Sequence, residues 1–221
     1  MPPSRPSRKP AKKPRQVRSR ETYETILEGA TRVFAKHGYA RSTTNRIAEA
    51  AGVSVGSVYQ YFPDKDAMLT ELMRRYRENL VERIGERLTV MDHVSFETVV
   101  HTLLTALLND DEINPALRRV LIERVLRTDA RREVGGFEER VEGLVADALR
   151  AAKDYVAIEQ FELSAFILVR VVLAISHAAV VDRPVFNTPA LASELTRLVV
   201  GYVGRRPLED DAPRRARPRT R

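Results

Sequence analysis

The sequence predicts an all-α fold, a three-helix N-terminal domain followed by a larger helical one. Three observations carry that prediction. Apolar residues recur at three- and four-residue steps over most of residues 19–204, the spacing that gathers them on one helix face. No stretch sustains the period-two alternation of a half-buried strand. Ser, Thr, Asp or Asn precedes these runs and Gly or Pro closes them, at helix-length intervals. With 221 residues, 43% hydrophobic and 30% charged, the chain can bury a core, which excludes wholesale disorder.

The first helix is expected to begin near Ser19 as its N-cap, with Glu21 in the first turn favouring the helix dipole. Its stripe is Tyr23, Ile26, Leu27, Ala30, Val33 and Phe34, and Gly38 fits the left-handed residue that ends a helix. Ser42 or Thr43 caps a short second helix carrying Ile47, Ala48 and Ala51, stopped at Gly52. Ser54 caps a third, read over residues 54–61 with Val58 on its buried side. Asp64 caps a fourth, which continues through Leu69, Met73, Tyr76 and Leu80.

Further on, Ser95 is a cap, and Asn114-Pro115 places proline at its favoured first helical position, ahead of Leu117, Val120, Leu121 and Val125. Another helix is expected from about Asp129 to Ala152, with Val134, Phe137, Val141, Leu144, Val145 and Leu149 inward. Gly135-Gly136 marks either a kink or a break in it. A long apolar helix, Leu163 to Val181, ends at Asp182-Arg183-Pro184. Thr188-Pro189 opens the last, with Leu191, Leu195, Leu198, Val199 and Tyr202 on one face.

The formal charge of +7 is unevenly distributed. Residues 1–20 hold eight basic and no acidic residues, and residues 205–221 hold seven arginines against three acids. The 184 residues between them are net acidic, with 22 basic against 27 acidic side chains. Both basic ends are proline-rich and nearly devoid of apolar residues, so both are expected to be disordered. Block-wise basic ends suit a polyanion, nucleic acid or an anionic membrane. The absence of cysteine removes disulfides, thiolate nucleophiles and cysteine-ligated metal sites. No apolar run follows the N-terminal basic residues, so a cytoplasmic location is expected.

Two short helices joined at Ala51-Gly52-Val53-Ser54 form a helix-turn-helix pattern. Ala48 and Gly52 supply the small residues for a helix crossing, and Val53 and Val58 seat the second helix. Its outer face then offers Val55, Gly56, Ser57, Tyr59, Gln60 and Tyr61, short or hydrogen-bonding groups suited to base edges, thymine methyls and phosphates.

Segment 34–69, FAKHGYARSTTNRIAEAAGVSVGSVYQYFPDKDAML, strongly resembles the N-terminal domain of TetR-family transcriptional regulators, within a match running from Thr25 to Leu72. The resemblance implies a ligand-responsive repressor that binds double-stranded DNA as a homodimer through its last two helices. It implies phosphate contacts at Thr43 and Thr44, a base contact at Asn45, and a base-facing surface of Val55, Gly56, Ser57 and Gln60. Tyr59 and Tyr61 match the aromatic pair that holds the DNA backbone, and Lys65 matches a phosphate-binding lysine. The recognition face departs from the best-known members in carrying no arginine, so the operator sequence is not readable from it.

The implied organisation is a disordered arm at 1–18, a DNA-binding domain at 19–66 and a connecting helix at 67–82. An effector-binding and dimerisation domain at 83–204 and a disordered tail at 205–221 follow. Segment 21–66 has five basic and six acidic residues, so the reading domain is nearly neutral. Arg5, Arg8, Lys9, Lys12, Lys13, Arg15 and Arg18 are therefore expected to add contacts along the DNA backbone or in the minor groove.

In the second domain the expected effector residues are His101, Phe137, Phe166, Arg170 and His177, with Phe96 and Phe161 as cavity or core. Arg170 and His177 lie two turns apart on one face. They either address an anionic or hydrogen-bonding ligand or form an ion pair across a dimer, with Glu162, Glu194 or Asp182 as partner. A membrane span over 163–181 is disfavoured by Arg170 near its middle and by the added cost of Ser176 and His177. His93, Glu97 and His101 are spaced like a metal face, but a cap at Ser95 would leave His93 outside the helix. No metal, cofactor or catalytic motif is expected: G-x-S-x-G, G-x-x-x-x-G-K-[ST], G-x-G-x-x-G and H-E-x-x-H are all missing.

Overall fold

The computed structural model describes residues 15–88, 95–108, 113–127, 136–154, 156–186 and 189–204. Every regular element among them is helical: α1 (Arg15–Arg41), α2 (Thr44–Ala51), α3 (Val55–Tyr59), α4 (Lys65–Leu88), α5 (Phe96–Leu108), α6 (Pro115–Arg127), α7 (Phe137–Ala151), α8 (Phe161–Val181), a 3₁₀ turn (Pro184–Phe186) and α9 (Pro189–Val203). The chain divides into two units, Met1–Leu72 and Met73–Arg221.

In the first unit α1 packs on α2, and α2 on α3. The stripe expected on α1 is its core face: Ile26, Leu27, Ala30, Val33 and Phe34 are buried with Ile47, Ala48, Val58, Phe62, Met68 and Leu69. α1 starts at Arg15, four residues before Ser19. Gln16-Val17-Arg18 contains no helix breaker, so the helix extends upstream past the serine. Arg15 and Arg18 of the expected arm are therefore helical, while Arg5, Arg8, Lys9, Lys12 and Lys13 lie outside the described residues.

Near the end of α1 the backbone kinks at Gly38, with φ 68° and ψ 172°. Its φ is positive as expected, but its extended ψ throws the chain outward rather than into a helical cap. Of the two candidate caps for α2, Thr43 serves: its Oγ1 accepts from the Arg46 N–H at 3.3 Å. Ser42 is buried, and its Oγ donates to the Gly38 carbonyl at 2.6 Å. Gly52 closes α2 in the left-handed conformation, φ 67°. A side chain there would meet nothing, so Gly52 is needed for its φ and not for a crossing. The close approach falls instead on Gly29 of α1, where an added Cβ would sit 2.9 Å from Ala51 Cβ and 3.0 Å from the Ile47 carbonyl oxygen.

In the second unit α7 packs on α8, α9 on α5, and α6 on α8. One core gathers Leu104, Leu108, Leu149, Leu168, Leu195 and Val199; a second gathers Leu80, Val81 and Ile84 of α4 with Phe137, Val141 and Val169. α4 runs on to Leu88, past the expected end of a connecting helix at 82. α7 begins at Phe137 because Gly136, at φ 82°, cannot lie within a helix, so the helix expected from Asp129 is broken there; residues 128–135 lie outside the described residues. Asn114 caps α6, its Oδ1 accepting from the Ala116 N–H at 2.9 Å. α8 is long and apolar enough to cross a membrane by length and composition, and here it buries Ala165, Leu168, Val169 and Ala179 in the helical unit.

Replacing Gly29 should test the α1–α2 crossing. Gly29→Val is expected to lower the stability of the first unit by about 1–3 kcal/mol, the usual cost of overpacking a tight contact. Urea denaturation followed by circular dichroism measures it; wild-type stability would show that the crossing lies elsewhere.

Candidate functional site

The expected recognition helix is shorter than read. α3 is five residues long, and Gln60 and Tyr61 continue it only as a turn, their N–H groups bonding back to Gly56, Ser57 and Val58. Pro63 accounts for the stop, since it disfavours helical geometry at Phe62. Ser54 caps the element, its Oγ accepting from the Ser57 N–H at 3.0 Å and lying 2.8 Å from Ser57 Oγ. Val58, 0% exposed, pins the helix, and Gly56, Tyr59 and Gln60 face solvent beside the half-buried Val55 and Ser57. Thr43 and Asn45, at the N-terminus of α2, are exposed as well, and Thr44 is half-buried.

Two aromatic contacts fix the far side of this surface. Tyr61 packs edge-on against Tyr23, and its hydroxyl donates to Ser19 Oγ at 3.2 Å. Phe62 stacks on Tyr23 with ring centroids 4.8 Å apart. Ser19, expected as a cap, thus serves as an anchor for Tyr61.

Lys65 turns inward. Its Nζ donates to the Tyr39 and Ser42 carbonyls at 3.0 and 3.1 Å and lies 4.1 Å from the Tyr39 ring centroid. The Tyr39 hydroxyl in turn donates to Asp66 Oδ1 at 2.5 Å. Two of the three ammonium protons are thus engaged by backbone.

Beside this corner lies a basic group the sequence reading did not single out: Lys36, His37, Arg41 and Arg46. Arg46 donates to the Arg41 carbonyl at 2.6 Å, which holds two of these cations next to the start of α2. Desolvation, then the charges of Arg46, Lys36 and Arg41, hold the His37 imidazole below its ordinary value of 6.5. The signal was present in the spacing of three cations and a histidine around the cap at Thr43, but only the fold turns them to one corner.

Among the described residues of the second unit lie a larger and a smaller cavity. The larger, about 110 Å³, is lined by apolar side chains from α4, α5, α7, α8 and α9, among them Leu88, Phe96, Leu103, Val145, Val172 and Val199. The smaller, about 30 Å³, is lined by polar and apolar groups together, including Arg77, Arg118, Phe137, Glu138, Ser176 and His177. Of the five residues expected around an effector, Phe137 and His177 line the smaller cavity. His101 is exposed on α5 with its Nδ1 3.2 Å from Thr196 Oγ1, and Phe166 is exposed at 47%. Arg170 pairs within its own unit, with Glu138 and with Glu142 at 3.0 Å, because α7 and not a distant element packs beside it. Glu162, Glu194 and Asp182 are not its partners; Glu162 pairs with Arg150, and Glu194 with Arg197.

Residues 26–72 match the family described as bacterial regulatory proteins, tetR family, and residues 95–202 match the tetracyclin repressor-like C-terminal domain. Together these segments take in most of the chain. The protein belongs to the TetR family.

Among relatives, the HTH-type transcriptional repressor Rv1474c of Mycobacterium tuberculosis is 32% identical over 130 residues, 58% of this chain and 64% of its own length. The HTH-type transcriptional repressor AcnR of Corynebacterium efficiens is 40% identical over 63 residues, 28% of this chain and 34% of its own length. The match thus spans less than two thirds of either relative. The fatty acid degradation regulator FadR of Bacillus halodurans shares the fold, with TM-score 0.66, 20% identity, and coverage of 89% of this chain and all of that one. SmeT, the repressor of a Stenotrophomonas maltophilia efflux pump, solved in complex with triclosan, has TM-score 0.58 and 25% identity over 80% of this chain and 90% of that one.

For a TetR-family protein the basic corner has a measurable consequence. A phosphate set among Lys36, Arg41 and Arg46 would stabilise the imidazolium of His37, so the DNA complex would hold a proton that the free protein lacks. DNA affinity is then expected to rise as pH falls and the imidazole takes up its proton, and the rise should shrink in His37→Gln. Fluorescence anisotropy at constant ionic strength measures this; identical pH profiles for wild type and variant would remove His37 from the interface.

Proposed function

We propose that the protein is a dimeric, sequence-specific DNA-binding repressor that releases its operator when a small molecule binds the second unit. The observation that carries this reading is the pinned, accessible α3: a serine-capped helix seated by fully buried Val58 with Gly56, Tyr59 and Gln60 facing outward. On this reading Val55, Gly56, Ser57 and Gln60 meet base edges in a major groove. Asn45 adds a base contact, and Thr43, Thr44, Tyr59, Tyr61 and the remaining proton of Lys65 hold the flanking backbone.

Dimerisation through the last two helices is supported by exposed apolar side chains on both. Leu163 and Phe166 of α8 are 51% and 47% exposed, and Leu198 and Tyr202 of α9 are 43% and 42%. The Tyr202 hydroxyl donates to Ser164 Oγ at 3.4 Å, so these residues lie on neighbouring helices. A two-fold pair of subunits would read a palindromic site. Effector response is supported by the cavities and by the SmeT–triclosan complex of a family member. An effector releases DNA only if it binds the DNA-incompetent arrangement more tightly.

The basic residues ahead of α1 supply affinity without much specificity, each neutralised phosphate adding roughly 0.9 to the salt slope. Removing residues 1–14 should therefore weaken binding and flatten its salt dependence while leaving α1 whole; an unchanged slope would rule the arm out.

Footprinting on the DNA flanking the protein's own gene locates an operator, and anisotropy then compares variants. Ser57→Ala and Tyr59→Ala are each expected to weaken operator binding by about tenfold or more, the scale of one lost base or backbone contact. Their sedimentation as dimers should not change. Wild-type affinity in both variants would overturn the placement of α3 in the groove.

A further inference from the structure

The outermost face of α3 belongs to Gly56 and Gln60. They are four residues apart, which puts them on one side of a helix, and each is two residues from Val58, about 200° round the axis. Val58 is 0% exposed, so Gly56 and Gln60 point away from the core, and both are exposed. Gln60 keeps this register past the last helical residue. Its φ of −68° and ψ of −25° are helical, and its N–H donates to the Gly56 carbonyl at 3.3 Å. Its side-chain amide makes no hydrogen bond among the described residues, whereas the Tyr61 hydroxyl is engaged by Ser19.

Nothing in the fold requires glycine at position 56. Its φ is not positive, and a Cβ added there would meet only Ser54 Oγ, at 3.8 Å, an ordinary contact. Glycine inside a helix is less stable than alanine, so this position gives up stability without a return in packing. What a missing Cβ does provide is room for a partner to approach the backbone closely. A duplex that comes that close brings a base edge within reach of the Gln60 amide.

The major groove presents distinguishable edges. Guanine shows two acceptors, best met by arginine or lysine, and cytosine shows an amino donor, met by a carboxylate. Adenine shows one acceptor and one donor, which a glutamine amide meets with both its polar atoms. Residues 54–62 contain no Lys, Arg, Asp or Glu. The Ser57 hydroxyl, 2.8 Å from Ser54 Oγ, suits either kind of pair, and the half-buried Val55 suits a thymine methyl. Gln60 is thus the discriminating group on this element, and what it matches is adenine.

We propose that Gln60 is a specificity-determining residue that reads an adenine through N6 and N7, and that Gly56 sets the close approach this contact requires. Each half of the operator then carries an A·T pair where α3 enters it. This rests on the placement of α3 in a major groove above and names the base pair it selects.

Selection of duplexes from a random-sequence pool by the full chain, followed by anisotropy on the selected site, tests the assignment. The wild type is expected to fix an A·T pair at one position of each half-site, and Gln60→Ala should accept all four pairs there with the other positions unchanged. An adenine analogue with carbon in place of N7 at that position should weaken the wild type by about fivefold or more, the lower end of what one bidentate contact discriminates. The same analogue should leave Gln60→Ala unaffected. Gly56→Ala should weaken binding several-fold while its melting temperature stays at or above that of the wild type, which separates lost approach from lost fold. Gln60→Ala with every wild-type preference intact, or a G·C pair at the position Gln60 governs, overturns the adenine contact and leaves the repressor reading standing. Gly56→Ala with wild-type affinity, or with a lowered melting temperature, overturns the close approach. A wild-type selection that enriches no sequence overturns the sequence-specific reading itself, and this inference with it.

Discussion

The reading surface depends on one polar corner, where α1 turns into α2. Beyond the kink at Gly38 a single ammonium, from Lys65, donates to the carbonyls of Tyr39 and Ser42, the first of which also accepts from the Ser42 N–H. The Tyr39 ring lies against the same ammonium, and its hydroxyl reaches Asp66 on the first turn of α4. Ser42 satisfies the Gly38 carbonyl from inside. These bonds tie the start of α2 to the start of α4. The Gly29–Ala51 contact sets how near α2 approaches α1, and Arg32 holds its far end through the Ala50 carbonyl at 2.6 Å. α3, too short to be stable alone, inherits its position from α2 through the left-handed Gly52.

The second unit solves a different problem, that of keeping guanidinium groups among apolar helices. Arg118 is set on the carbonyl end of α5, Arg77 lies 5.2 Å from the Phe137 ring centroid, and Arg170 is clasped by two glutamates of α7. The clasp is not free of cost. Burial, with Glu139 adding repulsion, pushes the Glu142 carboxyl above its ordinary value of 4.5 even beside Arg170. A carboxyl raised in the folded state favours folding most below that ordinary value, and its contribution declines as pH rises through the raised one.

Most of the helices were legible because the cues that set them are local. Thr43, Ser54, Asp64, Ser95 and Asn114 each cap the helix that follows, and the stripe of α1 is its buried face. What the sequence hid depends on residues far apart. Ser19 looks like a cap by type, yet nothing upstream stops the helix before it. Lys65 reads as a free cation until Tyr39 and Ser42 are brought to it from more than twenty residues away. Leu198 and Tyr202 share a stripe with Leu195 and Val199, but only the latter two face inward. The larger cavity was missed because a void is a property of how five helices meet; its best local sign was the charge-free apolar run of α5 after Glu97.

The larger cavity also sets how the protein answers compression. An apolar void stays dry, and unfolding floods it, so the unfolded chain occupies less volume than the native one. Volume changes on unfolding scale with such voids and run to roughly 20–100 mL/mol. The part of this roughly 110 Å³ of apolar space that water does not fill adds to the volume lost when the second unit unfolds under pressure. A ligand that fills the space removes both the void and the sensitivity, so hydrostatic pressure becomes a gauge of occupancy that needs neither DNA nor a label.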